Sequence, residues 1–253
     1  MKTSTAKAPK PADPLAIALM GDYGTTKTSL SLRFPSPGVL DLDGNLDGPA
    51  AWVRKQVPGH VFHYVQPLLG ANGATVIDKD VRDRISDGLR ELPSSKDIRT
   101  IIVSSGTKLS EVLVMGVLAR HNAELMEMAF WKPWRAQMLR LIHDGRSAGK
   151  HFIWEIHEQP VYGPRPVGRN GQPSMEPPPR VGVEMSMPTR LSEVLGFTFT
   201  DVWRAVKLGQ GASLRYELRF VSDGEANLKN SLGLTTPISM DWGRLEPLLK
   251  GRL

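Results

Sequence analysis

The chain has 253 residues, enough for one α/β domain with a full core, and its 40% hydrophobic and 23% charged residues are ordinary for a globular protein. No apolar run approaches the ~20 residues of a membrane-spanning helix. The absence of cysteine excludes disulfides, thiolate zinc sites and cysteine nucleophiles, and fits a reducing cytoplasm without requiring one. A net charge of +6 and a pI near 9.6 favour polyanionic partners, nucleic acid first.

In chain order, residues 1–13 are rich in Lys, Thr, Ala and Pro, lack the apolar segment of a secretory signal, and read as a flexible basic tail. Leu15 to Met20 is a short apolar run ending at Gly21, the pattern of a buried strand, and Thr26 to Arg33 suits a helix stopped near Pro35. Gly38 to Asp43 is a second strand with carboxylates at its C-terminal end, and His60 to Val65 a third. Ile77, Val81, Ile85 and Leu89 recur every four residues on one helical face, ending before Pro93. Thr100 to Val103 is the next strand. Leu109 to Met128 and Trp134 to His143 are helical, with a break at Pro133, and His151 to His157 is another strand.

Composition then changes: Gln159 to Pro188 is rich in Pro, Gly and Arg, and a loop of that length is functional or disordered. Thr198 to Leu208 and Ser213 to Val221 form a hairpin about Gly209 to Ala212, and Leu245 to Lys250 a short helix. The alternation predicts one α/β domain over 14–253, a mostly parallel sheet flanked by helices with a C-terminal β-hairpin extension.

The most informative segment is LAIALM-GDYGTTKT-SLSLRF, a strand running into a glycine turn that opens a helix at Lys-Thr. Backbone N–H groups of such a turn face anionic phosphates, a lysine at position 27 reaches the β- and γ-phosphates, and the hydroxyl of Thr28 ligates Mg²⁺. The nucleotide-binding set is Gly21, Gly24, Thr25, Thr26, Lys27, Thr28 and Ser29. The usual pattern, G-x-x-x-x-G-K-[ST], has glycine where this chain has Thr26; a β-branched residue is strained there if the position needs φ > 0.

The chain resembles the RecA-like P-loop ATPases, in particular the short ATP-binding recombination and single-strand annealing proteins of bacteriophages. The P-loop, VLDLDGNLDGP, TIIVSSGTKLSE and HFIWEIHEQP carry the resemblance in the family's order, across about Leu15 to Leu208. The resemblance implies ATP and Mg²⁺ as ligands, Lys27 and Thr28 as the phosphate and magnesium residues, Asp43 as the acid that activates water, and His157 as the polar γ-phosphate sensor. Read from the residues alone, Asp43 equally suits a turn cap, and His157 a hydrogen-bonded structural histidine. Ser104 stands where the family has the Walker B Asp, so a hydroxyl replaces the carboxylate that orients the metal. Ser231 stands where related phage proteins have the Arg of a Lys-x-Arg element, of which Lys229 remains. These departures predict slow hydrolysis or binding without turnover, because a phosphate-contacting Arg is worth about 10³-fold or more in rate.

The family's mobile DNA-contacting loop corresponds to the 159–190 segment, with Arg165, Arg169 and Arg180 as its nucleic-acid contacts and Tyr162 as a stacking surface; a solvated, proline-stiffened linker is the plainer alternative. The resemblance implies single-stranded DNA as partner, self-association into a ring or filament with nucleotide between subunits, a single-strand-binding protein as further partner, and residence in a bacterial host's cytoplasm. Most of Trp131, Trp134, Trp154 and Trp203 read as core packing, the methionines as core or interface filler, and the histidines show no metal-ligand spacing. A structural or regulatory P-loop protein with little or no hydrolysis is the competing reading; a small-molecule kinase fits less well, because the proline-rich loop makes a poor lid.

Overall fold

The computed structural model describes residues 13–70, 73–166, 177–187, 191–249 and 252; the tail, but for Asp13, lies outside them. The elements follow in chain order as β1 (Ala16–Gly21), α1 (Lys27–Ser31), β2 (Pro37–Asp41), α2 (Asp47–Gln56), β3 (His63–Val65), α3 (Val81–Ser94), β4 (Thr100–Ser104), α4 (Gly106–His121) and α5 (Met128–Arg146). After them come β5 (His151–Tyr162), β6 (Arg180–Met185), α6 (Leu191–Thr198), β7 (Asp201–Leu208), β8 (Arg215–Arg219), β9 (Ile238–Ser239) and α7 (Trp242–Leu245).

The sheet order is β3-β2-β4-β5-β1-β7-β8-β9, with β6 paired to β5 off this path. Strands β3 to β7 along that order are parallel; β8, β9 and β6 join antiparallel. The α/β class, the mostly parallel sheet flanked by helices and the C-terminal hairpin are therefore as the sequence predicts. β1, β2 and β4 are buried along their whole length, which is why they read as unbroken apolar runs. Alternate residues feed two cores. Ala18, Ile101 and Trp154 pack with Leu113, Trp134 and Phe199 on one face, and Ile17, Ile102 and Ile153 pack with Leu30, Val53 and Trp203 on the other. The tryptophans expected to be core are core: Trp134, Trp154 and Trp203 are buried.

Several boundaries differ from expectation. The helix break lies at Asn122, whose φ of 48° caps α4 in the left-handed region that Asn tolerates, while Pro133 sits inside α5. Pro93 likewise falls inside the last turn of α3. β2 ends at Asp41, so Asp43 lies in the turn beyond it. The segment expected as a loop from Gln159 is partly strand: β5 continues to Tyr162 and pairs with β6, making a two-stranded arm that leaves the sheet. The first six residues of β5 are buried and its last six are not, so one strand serves both core and arm.

β1 has β5 and β7 as neighbours, and the chain leaves it through α1 towards β2, beyond β5 and β4. Ligands of open α/β sheets bind at the carboxyl ends of strands flanking such a reversal. Here those ends carry Gly21, Ser104 and His157, with Gly21 directly paired to His157.

His151, which opens β5, is buried, and its Nδ1 accepts the Leu15 N–H at 3.1 Å. Burial, aided by the charges of Arg99 and Arg252, lowers its pKa to about 4. Above about pH 6.5 the ring is neutral in both the folded and unfolded chain. As pH falls below that value the unfolded chain takes a proton the native state refuses, so stability is lost progressively down to about pH 4. The expected contribution is about 2 kcal/mol of destabilisation at pH 5 relative to pH 7. His151→Asn, whose Oδ1 can accept the same N–H, should lose less stability between those pH values in urea melts; an equal loss would contradict the assignment.

Candidate functional site

The turn after β1 is shaped by close approach and by positive φ. A Cβ on Gly21 would lie 2.5 Å from the Ala205 carbonyl oxygen of β7, so the strand must end on glycine. Gly24 has φ 68°, and Thr26 has φ 60° and ψ 22°, the left-handed conformation a glycine adopts without cost. The strain expected at Thr26 is therefore present. Thr25 is buried, and its hydroxyl donates to the Asp22 carbonyl at 2.8 Å.

The Lys27 ammonium folds back into this turn. It donates to the carbonyl oxygens of Gly21 at 2.8 Å and Asp22 at 2.9 Å, and to Thr25 Oγ1 at 3.4 Å. Burial pushes its pKa below the ordinary lysine value, opposed first by the charge of Glu155. Lys27 lies on the wall of a cleft of about 930 Å³, the size of a typical small-molecule site, which also takes in Gly24, Thr25, Thr26, Thr28 and Ser29. A buried ammonium lining a cleft, held by neutral carbonyls, is a site an anion can neutralise, and the residues present thus fit a polyphosphate.

Beside it lies a carboxylate that the sequence reading passed over. Glu155 is 2% exposed, and its Oε2 accepts hydrogen bonds from Thr28 Oγ1 at 2.7 Å and Ser104 Oγ at 3.1 Å. Its Oε1 is buried without a hydrogen bond, because the neighbouring Ser31 hydroxyl donates to the Lys27 carbonyl instead. Burial raises the carboxyl pKa above the usual range, against the pull of Thr28 and Lys27. Among the described residues no cluster of three or more His, Cys, Asp or Glu could hold a metal by itself, so a cation here would need oxygens of its ligand.

Asp43 and His157 also line the cleft. The capping role open to Asp43 falls to Asp41, whose carboxylate accepts from the Gly44 N–H at 3.0 Å and from Gln66 at 2.8 Å. Asp43 is left facing the cleft, its pKa raised by desolvation against a hydrogen bond from Ser105. The His157 ring stacks on Tyr23 of the turn at 3.9 Å between centroids, and its Nδ1 is buried without a partner. Burial, then the Lys27 charge, lowers its pKa, so the ring is neutral at pH 7.

The C-terminal third also lines the cleft, through Tyr216 of β8, Met240 and Trp242, as does Trp52 of α2. Trp242 packs edge-on against Phe34 at 5.0 Å, and Thr26 Oγ1 reaches Met240 Sδ at 3.6 Å. Nothing in the local sequence marks these residues, because they reach the cleft only through pairing of β8 and β9. Glu155 did carry a signal: it is a carboxylate inside a buried strand, two residues before His157 and on the same face.

The basic residues lie elsewhere. Arg165 and Arg180 are exposed on the β5–β6 arm, with Tyr162 exposed opposite Arg180; Arg169 lies outside the described residues. Lys229 Nζ donates to the Phe199 carbonyl at 3.0 Å, and Ser231 is bound through N–H and hydroxyl to the Asp201 carboxylate. Both ends of the Lys-x-Ser element are thus engaged in fastening the segment to β7.

Left-handed φ at a β-branched residue costs about 1–2 kcal/mol, and the chain entropy of a glycine offsets part of its relief. Thr26→Gly should therefore raise stability by about 1 kcal/mol, a melting-temperature gain of about 2–4 °C. No gain would mean that the Met240 contact compensates for the strain.

Neither a family model nor a curated protein matches the chain. Among solved structures it is similar to the flagellar accessory protein FlaH from Methanocaldococcus jannaschii, at 10% identity, over 90% of this chain and 85% of that one, with a TM-score of 0.45.

Proposed function

We propose that the chain binds ATP·Mg²⁺ in this cleft, hydrolyses it slowly, and uses the bound nucleotide to control self-assembly on single-stranded DNA in phage recombination or strand annealing. The observation that carries the nucleotide reading is the buried Lys27 ammonium, wrapped by the Gly21–Thr26 turn at the cleft floor with the Thr28 hydroxyl beside it. The triphosphate lies against the turn and Lys27 neutralises its outer phosphates; Thr28 would hold the magnesium. The base has the Trp52, Tyr216 and Trp242 wall for stacking. Magnesium supplies charge neutralisation between the phosphates when bound. Asp43 faces the cleft with a raised pKa suited to accepting a proton from water, and neutral His157 offers a ring hydrogen bond to an outer phosphate.

Support for DNA is the arm: Tyr162 at the end of β5, Arg180 on the paired β6 and Arg165 just beyond β5 are exposed. Exposed Leu125, Met128 and Phe197 offer apolar surface for self-association, which favours the ring or filament reading. Among the described residues no helix is long and apolar enough to cross a membrane; residence in a host cytoplasm belongs to the same proposal.

The second reading, a regulatory P-loop protein without turnover, is favoured by the strained Thr26 and the loss of a carboxylate at Ser104. Binding of a fluorescent ATP analogue should be weakened about 10- to 100-fold by Lys27→Ala, the worth of a charge-assisted hydrogen bond. Phosphate release from the native protein should be slow and disappear with Lys27→Ala; no release at all supports the second reading. Fluorescent single-stranded DNA should bind with an affinity that falls with salt and changes with ATP, and absence of salt-dependent binding in both states removes the DNA reading.

A further inference from the structure

We infer that Glu155 has taken over the magnesium-site carboxylate that this chain lacks at Ser104, so that the metal-orienting acid is supplied by β5 rather than β4. The inference rests on the nucleotide reading above and assigns a role within that site.

The geometry places the two positions side by side. β4 and β5 are hydrogen-bonded in parallel, with Val103 paired to Trp154, so Ser104 and Glu155 occupy the next register step. Ile102 and Ile153, two residues earlier on each strand, pack in the core on the α1 side of the sheet, so Ser104 and Glu155 face α1 as well. β5 is also the strand paired with β1, one step nearer the turn than β4 is. A glutamate projecting there approaches Thr28 from an adjacent strand, with one methylene more reach than aspartate. It arrives: Oε2 accepts from Thr28 Oγ1 at 2.7 Å, and Ser104 Oγ donates to the same oxygen at 3.1 Å.

Two further observations point to a cation. Glu155 is 2% exposed and its buried Oε1 accepts no hydrogen bond while the adjacent Ser31 hydroxyl donates to the Lys27 carbonyl. A carboxylate in an apolar strand with spare acceptor capacity is costly unless a positive partner arrives. The other residue touching its bonded oxygen, Thr28, is the hydroxyl expected to ligate Mg²⁺. Ser104, too short and neutral to replace an aspartate, is well placed to orient the glutamate that does. The plain alternative is that Glu155 serves only as counter-charge to Lys27; removing it would then change nucleotide binding equally with and without metal.

The test reads metal dependence of nucleotide affinity, independently of turnover. Fluorescent ADP is titrated into native protein, Glu155→Gln, Ser104→Ala and the double variant Ser104→Asp/Glu155→Gln, each in magnesium and in EDTA, after circular dichroism confirms folding. Magnesium should tighten binding to the native protein, and Glu155→Gln should remove about 10- to 100-fold of that tightening without lowering the affinity in EDTA, where loss of a negative charge beside Lys27 takes nothing attractive from the phosphates. Ser104→Ala, which keeps the carboxylate and removes only its hydroxyl partner, should lose part of the tightening, and serves if Glu155→Gln does not fold. The double variant, with an acid restored on β4, should regain it. Mn²⁺ bound with ADP should give an electron paramagnetic resonance signal perturbed by Glu155→Gln. Unaltered magnesium dependence in Glu155→Gln, or in Ser104→Ala when only that variant folds, overturns the inference, as does equal loss with and without metal. Failure of native protein to bind ADP in either buffer overturns the nucleotide reading itself, and this inference with it.

Discussion

The arrangement around the cleft depends on one costly fact: an ammonium group, Lys27, is buried where an apolar parallel sheet ends. Taking such a cation out of water costs several kcal/mol unless oxygens replace its hydration. The turn does this with the carbonyls of Gly21 and Asp22, and it must bend sharply to do so. The bend requires left-handed φ at Gly24 and Thr26, and the close passage of β7 requires glycine at position 21. The largest compensating charge is Glu155, itself buried and tied to Thr28 and Ser104. One lysine thus accounts for the glycines before it, the strain beside it and the carboxylate beneath it.

Much of this was legible in the sequence, for identifiable reasons. Strands buried on both faces leave unbroken apolar runs, so β1, β2 and β4 could be read directly from 15–20, 38–43 and 100–103, the second running two residues past the observed end. The Lys-Thr register after a glycine turn fixed the positions of Lys27 and Thr28, and Ser104 and His157 fell on the cleft because both end neighbouring parallel strands. What failed to show was of two kinds. Asn122 rather than Pro133 broke the helices: the left-handed asparagine ends α4, whereas Pro133 is accommodated in the second turn of α5. The β5–β6 arm was hidden by composition: Pro160 and Gly182 lie within it, and proline and glycine signal loops even where edge pairing tolerates them.

β5 is the element in which these features meet. Its buried half carries Glu155 beneath Thr28 and His157 beside Gly21, and its exposed half carries the arm with Tyr162. Between them Glu158 accepts two hydrogen bonds from Arg204 of β7, at 2.8 and 3.2 Å, and Arg204 also binds Glu225. Arg204 is itself buried, so this network is held rigidly. β5 therefore runs from the cleft into the arm as one strand, with a register irregularity at Val161 and Tyr162.

The buried charges of the cleft are each engaged by neighbouring groups rather than left idle. A domain that no longer met an anion would be stabilised by exchanging its buried lysine and glutamate for apolar residues, since buried ion pairs are often neutral or worse than hydrophobic replacements. Here both charges are kept, both are hydrogen-bonded to the same short segment, and Ser104, where an acid was expected, donates to the acid on the next strand. Ser231 follows the same logic at the other end of the chain. Its N–H and hydroxyl both bind Asp201 and fasten the C-terminal segment to β7. That anchoring, with the pairing of β8 and β9, brings Met240 against Thr26 and Trp242 against Phe34. Ser104 and Ser231 thus each hold in place part of the frame of the cleft.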